Sequence, residues 1–178
     1  MSSARLFFAL WPDSAVRAAL QASCQAVTVS CGGRPVPPRN YHLTLAFLGQ
    51  VDSADLAGIR AAAAQVHMPA LTLVLDRVGY FPGPRILWVG PTEVPPALTG
   101  LVADLWQALA SVGLRPPARA FNPHLSLCRN SPAPPAQIAV PPVRWRVRGF
   151  ALIRSVTASA GAEYSVDQCF PAGSSIEP

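Results

Sequence analysis

The chain contains no lysine, and histidine occurs only three times in 178 residues. All fourteen cations are therefore arginines, set against nine acids for a formal charge of +5. Arginine suits planar, bidentate recognition of phosphate, so the balance is compatible with a nucleotide or nucleic-acid substrate. An Ala/Pro/Arg-rich, lysine-free composition is the better account of the total charge, so function has to be sought in particular arginines. The cysteines, Cys24, Cys31, Cys128 and Cys169, show neither a C-x-x-C spacing nor a companion histidine cluster. A zinc site is not expected, and reduced, mostly buried thiols are. Long apolar runs are missing too. Leu6 to Trp11 is cut by Pro12-Asp13, too short for a signal-peptide core, and nothing approaches the ~18–20 apolar residues of a membrane helix. A soluble, cytoplasmic protein without membrane contact is expected.

What the chain does have is 51% apolar residues, enough for one substantial core, and a repeated phrase. His42-Leu43-Thr44-Leu45 returns as His124-Leu125-Ser126-Leu127, which uses two of the three histidines. Alternate residues of a strand share a face. Each copy thus presents an imidazole beside a hydroxyl, with two leucines behind. A lone H-x-[ST] is ordinarily a bonded structural histidine; two matched copies in so histidine-poor a chain point to a site. Two imidazoles and two hydroxyls, with no carboxylate, suit a phosphate flanked by an acid and a base. No metal or other cofactor is expected. His67, before Met68-Pro69, reads as a solvated helix cap.

Periodicity places the copies in one α+β pattern. Strands are expected at Arg5–Leu10, Tyr41–Phe47, Leu71–Val78, Ile86–Val89, Phe121–Leu127, Val143–Ile153 and Tyr164–Phe170. Helices are expected after Pro12-Asp13, after a cap at Asp52 or Ser53, and over Val94–Val112. Both histidine strands follow a helix and an Arg/Pro-rich loop (Arg34 to Arg39; Arg115 to Arg119). This internal symmetry suggests two lobes about a pseudo-twofold with the histidines facing across a cleft, all within one domain spanning 1–178. Arg144, Arg146 and Arg148 alternate with Val143, Trp145 and Val147, and read first as a solvated sheet face, second as an RNA-facing stripe. Tyr41 and Phe121 read as core.

These residues resemble the bacterial RNA 2′,3′-cyclic phosphodiesterase family, also described as 2′-5′ RNA ligase, of the two-histidine phosphoesterase superfamily. The resemblance runs over nearly the whole chain: Arg5-Leu6-Phe7-Phe8-Ala9-Leu10, Asn40-Tyr41-His42-Leu43-Thr44-Leu45-Ala46-Phe47-Leu48-Gly49, Phe81-Pro82-Gly83-Pro84-Arg85-Ile86-Leu87-Trp88 and Pro123-His124-Leu125-Ser126-Leu127-Cys128-Arg129. Ser126 stands where threonine is commoner, and Cys128 where alanine is often seen. The resemblance implies a bilobal α+β fold of two antiparallel sheets with helices outside and a central cleft. It implies His42 as proton donor to the leaving oxygen, His124 as the base that activates water, and Thr44 and Ser126 as holders of phosphate oxygens. The product would be a 2′-phosphomonoester, with weak reverse 2′-5′ joining. Arg129 lies an odd number of positions from His124, so a regular strand turns it away; a strand that ends or bulges near Cys128, as the resemblance favours, would let it reach the phosphate. The expected partner is RNA with a 2′,3′-cyclic phosphate end, or a small cyclic nucleotide, bound by a monomer. Two alternatives stay open: the same chemistry on another cyclic or 2′-5′ linked nucleotide, and a non-catalytic RNA-end or nucleotide-binding module.

Overall fold

The computed structural model describes residues 3–133, 139–158 and 161–171. Its elements run β1 (Ser3–Leu10), α1 (Ser14–Ser23), α2 (Gln25–Val29), β2 (Arg34–Pro35), a 3₁₀ turn (Pro38–Asn40), β3 (Leu43–Asp52), α3 (Leu56–Ala64), β4 (Leu71–Phe81), β5 (Ile86–Gly90), α4 (Pro96–Ala110), β6 (Leu125–Arg129), β7 (Ala139–Val147), β8 (Gly149–Ala158) and β9 (Gly161–Pro171). The α+β class with antiparallel pairing is as expected. The strands form one path, β7-β4-β5-β6-β3-β1-β8-β9, with β2 added beside β6. At its centre β3 and β6 share a single register pair, Leu43 with Leu125. Two four-stranded halves therefore meet at the two histidine motifs.

The leucines behind each motif explain which way the sheet faces. Leu43, Leu45, Leu125 and Leu127 are buried in one cluster with Leu71, Leu73 and Leu75 of β4 and the apolar helix stripes. Helix α4 contributes Leu98, Leu101, Val102, Leu105 and Leu109, all buried, at the 3.6-residue period. Truncating fully buried Leu105 to alanine is expected to cost about 2–5 kcal/mol. A second, small cluster of Phe7, Ala9, Ala151 and Ile153, flanked by Trp11 and Tyr164, lies on the opposite face. That face carries His42, Thr44, His124 and Ser126.

Several boundaries differ from expectation. The first helix does open at Asp13, whose carboxylate accepts from the Val16 N–H at 2.9 Å, but it breaks at Cys24 into α1 and α2. Neither Asp52 nor Ser53 caps α3. The β1–β3 ladder extends to Ser3 opposite Asp52 and claims that residue, and Asp55 takes the cap position without a side-chain bond. Val143–Ile153 is two strands: β7 pairs with β4, and β8 pairs with β1 in the other half. The break falls before Gly149, where the Phe170 carbonyl approaches too closely for any Cβ. The cysteines also depart from expectation, because Cys31 and Cys128 are joined as a disulfide across a separation of 97 residues. The β2–β6 pairing brings them together, which their spacing along the chain does not reveal. Among the described residues, no helix is long and apolar enough to cross a membrane.

Candidate active site

Each motif histidine sits one residue before its strand. Along His42-Leu43-Thr44-Leu45 and His124-Leu125-Ser126-Leu127, half-buried and buried positions alternate identically. Asn40 supplies the carbonyl that lies 2.7 Å from His42 Nδ1, and Asn122 the one 2.8 Å from His124 Nδ1. A carbonyl only accepts, so Nδ1 carries the proton in both rings and Nε2 is left as the free nitrogen. The repeated phrase is therefore longer than four residues, Asn-x-His-Leu-[ST]-Leu.

The strands then do the same thing twice more. Phe8 pairs with Ala46 and Ala9 with Thr44, leaving Leu45 as an extra residue. Leu87 pairs with Cys128 and Trp88 with Ser126, leaving Leu127 extra. Each bulge resets the alternation by one position. Consecutive residues are buried at Leu45-Ala46 and at Leu127-Cys128, and the next side chain returns to the histidine face. In β6 that side chain is Arg129; in β3 it is Phe47, which is 49% exposed with the Arg5 guanidinium 4.9 Å from its ring centroid.

A cleft of about 250 Å³ is lined by His42, Ser126 and Arg129 together with Arg34, Arg39 and Tyr164. Thr44 and His124 are not on its wall. The antiparallel pair Leu43–Leu125 sets them on the same sheet face, next to the lining residues. The Arg129 backbone is fixed from the side by β2: Arg34 pairs with Arg129, Pro35 with Cys128, and Cys31 is bonded to Cys128. Gly33 packs so tightly that a Cβ there would strike the Arg129 carbonyl and the Ser131 nitrogen at 2.5 and 2.7 Å. Among the described residues, no group of three or more His, Cys, Asp or Glu side chains is arranged to hold a metal ion.

The profile of the LigT-like phosphoesterases matches residues 10–88. An RNA 2′,3′-cyclic phosphodiesterase of Thermus thermophilus is 36% identical over 182 aligned residues, covering 93% of this chain and 89% of the relative. One from Escherichia coli is 33% identical, covering 75% and 76%. The chain belongs to the LigT-like phosphoesterase family. Its fold agrees: E. coli LigT complexed with 3′-AMP superimposes with a TM-score of 0.88 at 28% identity, over 97% of this chain and 99% of that one.

In this LigT-like phosphoesterase the two imidazoles have different surroundings. His42 is packed by Trp11, stacked at 5.6 Å and 15°, by Phe7 at 5.0 Å and by Tyr164 edge-on at 5.1 Å. Burial pushes its pKa down to about 4; the Asn40 carbonyl opposes this, while the charges of Arg129 and His124 add to it. His124 meets Phe81 edge-on at 4.8 Å and Trp88 at 6.2 Å. Its pKa is also lowered, first by burial, against the Asn122 carbonyl and with Arg119 and Arg129 assisting. Both rings are thus neutral in the free cleft at pH 7.

Of the residues expected from the sequence, His42, Ser126 and Arg129 line the cleft and Thr44 and His124 lie beside it; Trp11, Tyr164, Arg34 and Arg39 were not expected there. The first two arrive from the end of β1 and from β9, and nothing in their local sequence links them to His42. The bulges did leave a signal, since Leu-Ala and Leu-Cys doublets break the alternation at the same place in both copies. Tyr41 is buried in the leucine-side core, as read.

Proposed function

We propose that this chain opens the 2′,3′-cyclic phosphate at RNA ends to a 2′-phosphomonoester by paired histidine acid–base catalysis, without a metal. The observation that supports this reading is the meeting of two Asn-x-His-Leu-[ST]-Leu strands at one register pair, with both imidazoles and both hydroxyls on one sheet face beside a small cleft lined by His42, Ser126 and Arg129. The family's curated relatives carry the same activity in their names.

In the reaction, His124 Nε2 takes a proton from water as the water oxygen bonds to phosphorus. The bond from phosphorus to the ribose 3′ oxygen breaks, and His42 Nε2 delivers a proton to that oxygen. Thr44 and Ser126 hydroxyls donate to the non-bridging oxygens, and Arg129 offsets the charge that grows on them. A ribose 5′-hydroxyl in place of the water gives its proton to His124 and bonds to phosphorus, the bond to the 3′ oxygen breaks with His42 protonating it, and a 2′-5′ linkage results, which would be the weak joining activity. His42 must be protonated to act, yet burial and Arg129 hold it neutral in the free cleft. The anionic substrate reverses that balance, so binding is accompanied by proton uptake at His42. Because both histidines come from one chain, a monomer suffices, and we assign its place to the cytoplasm.

Incubation with 2′,3′-cyclic AMP in the presence of a chelator tests the reading. The expected product carries its phosphate on the 2′ oxygen. No product, or a 3′-phosphate alone, contradicts it.

A further inference from the structure

The two halves of the histidine-bearing face carry different chemistry. In the β3-β1-β8-β9 half, the face is apolar and aromatic, built from Phe7, Ala9, Ala151 and Ile153 with Trp11 and Tyr164. In the other half, residues in register share a face, so Ser126, Trp88 and Gly79 lie together on it. Arg77, two residues from Gly79, lays its guanidinium 5.2 Å from the Trp88 ring centroid. Farther along β4, and on the edge strand β7, Arg144 stands opposite Val74 and Arg146 opposite Thr72. Their neighbours Val143, Trp145 and Val147 are buried with the leucine-side core, so both arginines point to the uncovered face, and both are exposed. The ion pairs among the described residues are those of Arg60 and Arg154 with Asp167; none involves Arg77, Arg144 or Arg146. Asp76, the acid nearest along β4, accepts from the Thr92 N–H at 2.8 Å.

We propose that Arg77, Arg144 and Arg146 bind the phosphates of a single-stranded RNA whose 3′ end enters the histidine cleft, the chain running from β6 over β5 and β4 to the β7 edge. This rests on the reading of an RNA end as substrate and deepens it, because it separates a polynucleotide from a mononucleotide. Three observations support this path. The surface has the sign of charge that phosphate requires, carried by the side chain best shaped for phosphate. It adjoins the site, because exposed Arg77 covers the buried Trp88 ring and Trp88 is in register with Ser126. And it extends too far for one nucleotide: strands are about 4.8 Å apart, so β6 to β7 alone spans roughly 14 Å across the sheet.

The test is equilibrium binding, which needs no turnover, of a labelled single-stranded RNA oligonucleotide ending in a 3′-phosphate, with 3′-AMP as the mononucleotide probe. The variant is Arg144→Glu/Arg146→Glu, with Arg144→Gln/Arg146→Gln as a milder pair and melting curves as the check on folding. The expected results are a loss of about tenfold or more in oligonucleotide affinity relative to 3′-AMP, and a slope of log K on log salt shallower by about 1.4 in the glutamine pair, from two lost phosphate contacts. An unchanged affinity ratio and slope in both variants overturn the proposal. Those outcomes are separate from the catalytic reading, which fails instead if wild-type protein opens no cyclic phosphate.

Discussion

The His42 half and the His124 half share one frame and differ in what is mounted on it. In both, an asparagine carbonyl two residues upstream fixes the ring tautomer, a hydroxyl stands two residues downstream, and a bulge follows at Leu45 or Leu127. Past the bulge the first half presents Phe47 and the second Arg129. Around the rings the contrast continues, with Trp11, Phe7 and Tyr164 enclosing His42, and Phe81 and Trp88 beside His124. On the proposed mechanism the frame duplicates a proton-transfer unit, and the decoration gives the pair its polarity. A symmetric site would have no reason to protonate one ring and not the other. Here burial pushes the enclosed His42 ring down to about 4, so on the proposed mechanism it depends on the substrate's charge to hold a proton.

The largest expected effect tests the shared frame. His42→Ala and His124→Ala are each expected to lower turnover of a cyclic nucleotide by ~10²–10⁴-fold, with the melting temperature little changed. A half that tolerates loss of its histidine would break the equivalence. The next effect tests the decoration. Arg129→Ala removes a charged donor to phosphate and is expected to cost about 10–100-fold in kcat/KM, whereas Phe47→Ala, at the matching position, costs about twofold or less. Equal losses would mean that the position matters and the side chain does not.

The smallest effect concerns stability. His42 titrates lower in the folded chain, at about 4, than the ~6.5 of an unfolded chain, so below pH 6.5 the unfolded state binds more protons. Stability associated with the neutral ring is present above pH 6.5 and is lost as pH falls towards 4. Denaturant melts at pH 6.5 and 4 are expected to show wild type losing on the order of 2–3 kcal/mol more than His42→Gln. Equal losses in the two proteins would remove the burial argument.

How far the sequence alone reached follows the same division between frame and decoration. The motif faces were readable because strand alternation is local: His42 and Thr44 must share a side wherever the strand is placed. The α4 stripe and the β4–β5 hairpin were readable for the same reason. What sequence missed came from remote segments. Trp11 reaches His42 from the end of β1 and Tyr164 from β9, and the Cys31–Cys128 bond depends on β2 joining β6. The division of Val143–Ile153 into β7 and β8 depends on which neighbours claim each piece, since both pieces keep strand-like patterns. Arg129 lies between these cases. Parity alone turned it away, and the bulge that restores it is marked locally by the buried Leu127-Cys128 doublet.

The central claim, that both imidazoles serve one phosphate, is tested most directly by ¹⁵N NMR of the histidine rings during titration with 3′-AMP. The account predicts that the Nε2 signals of His42 and His124 move together along one binding curve, with Nδ1 staying protonated in each and His67 unmoved. A curve in which only one of the two rings responds would contradict it.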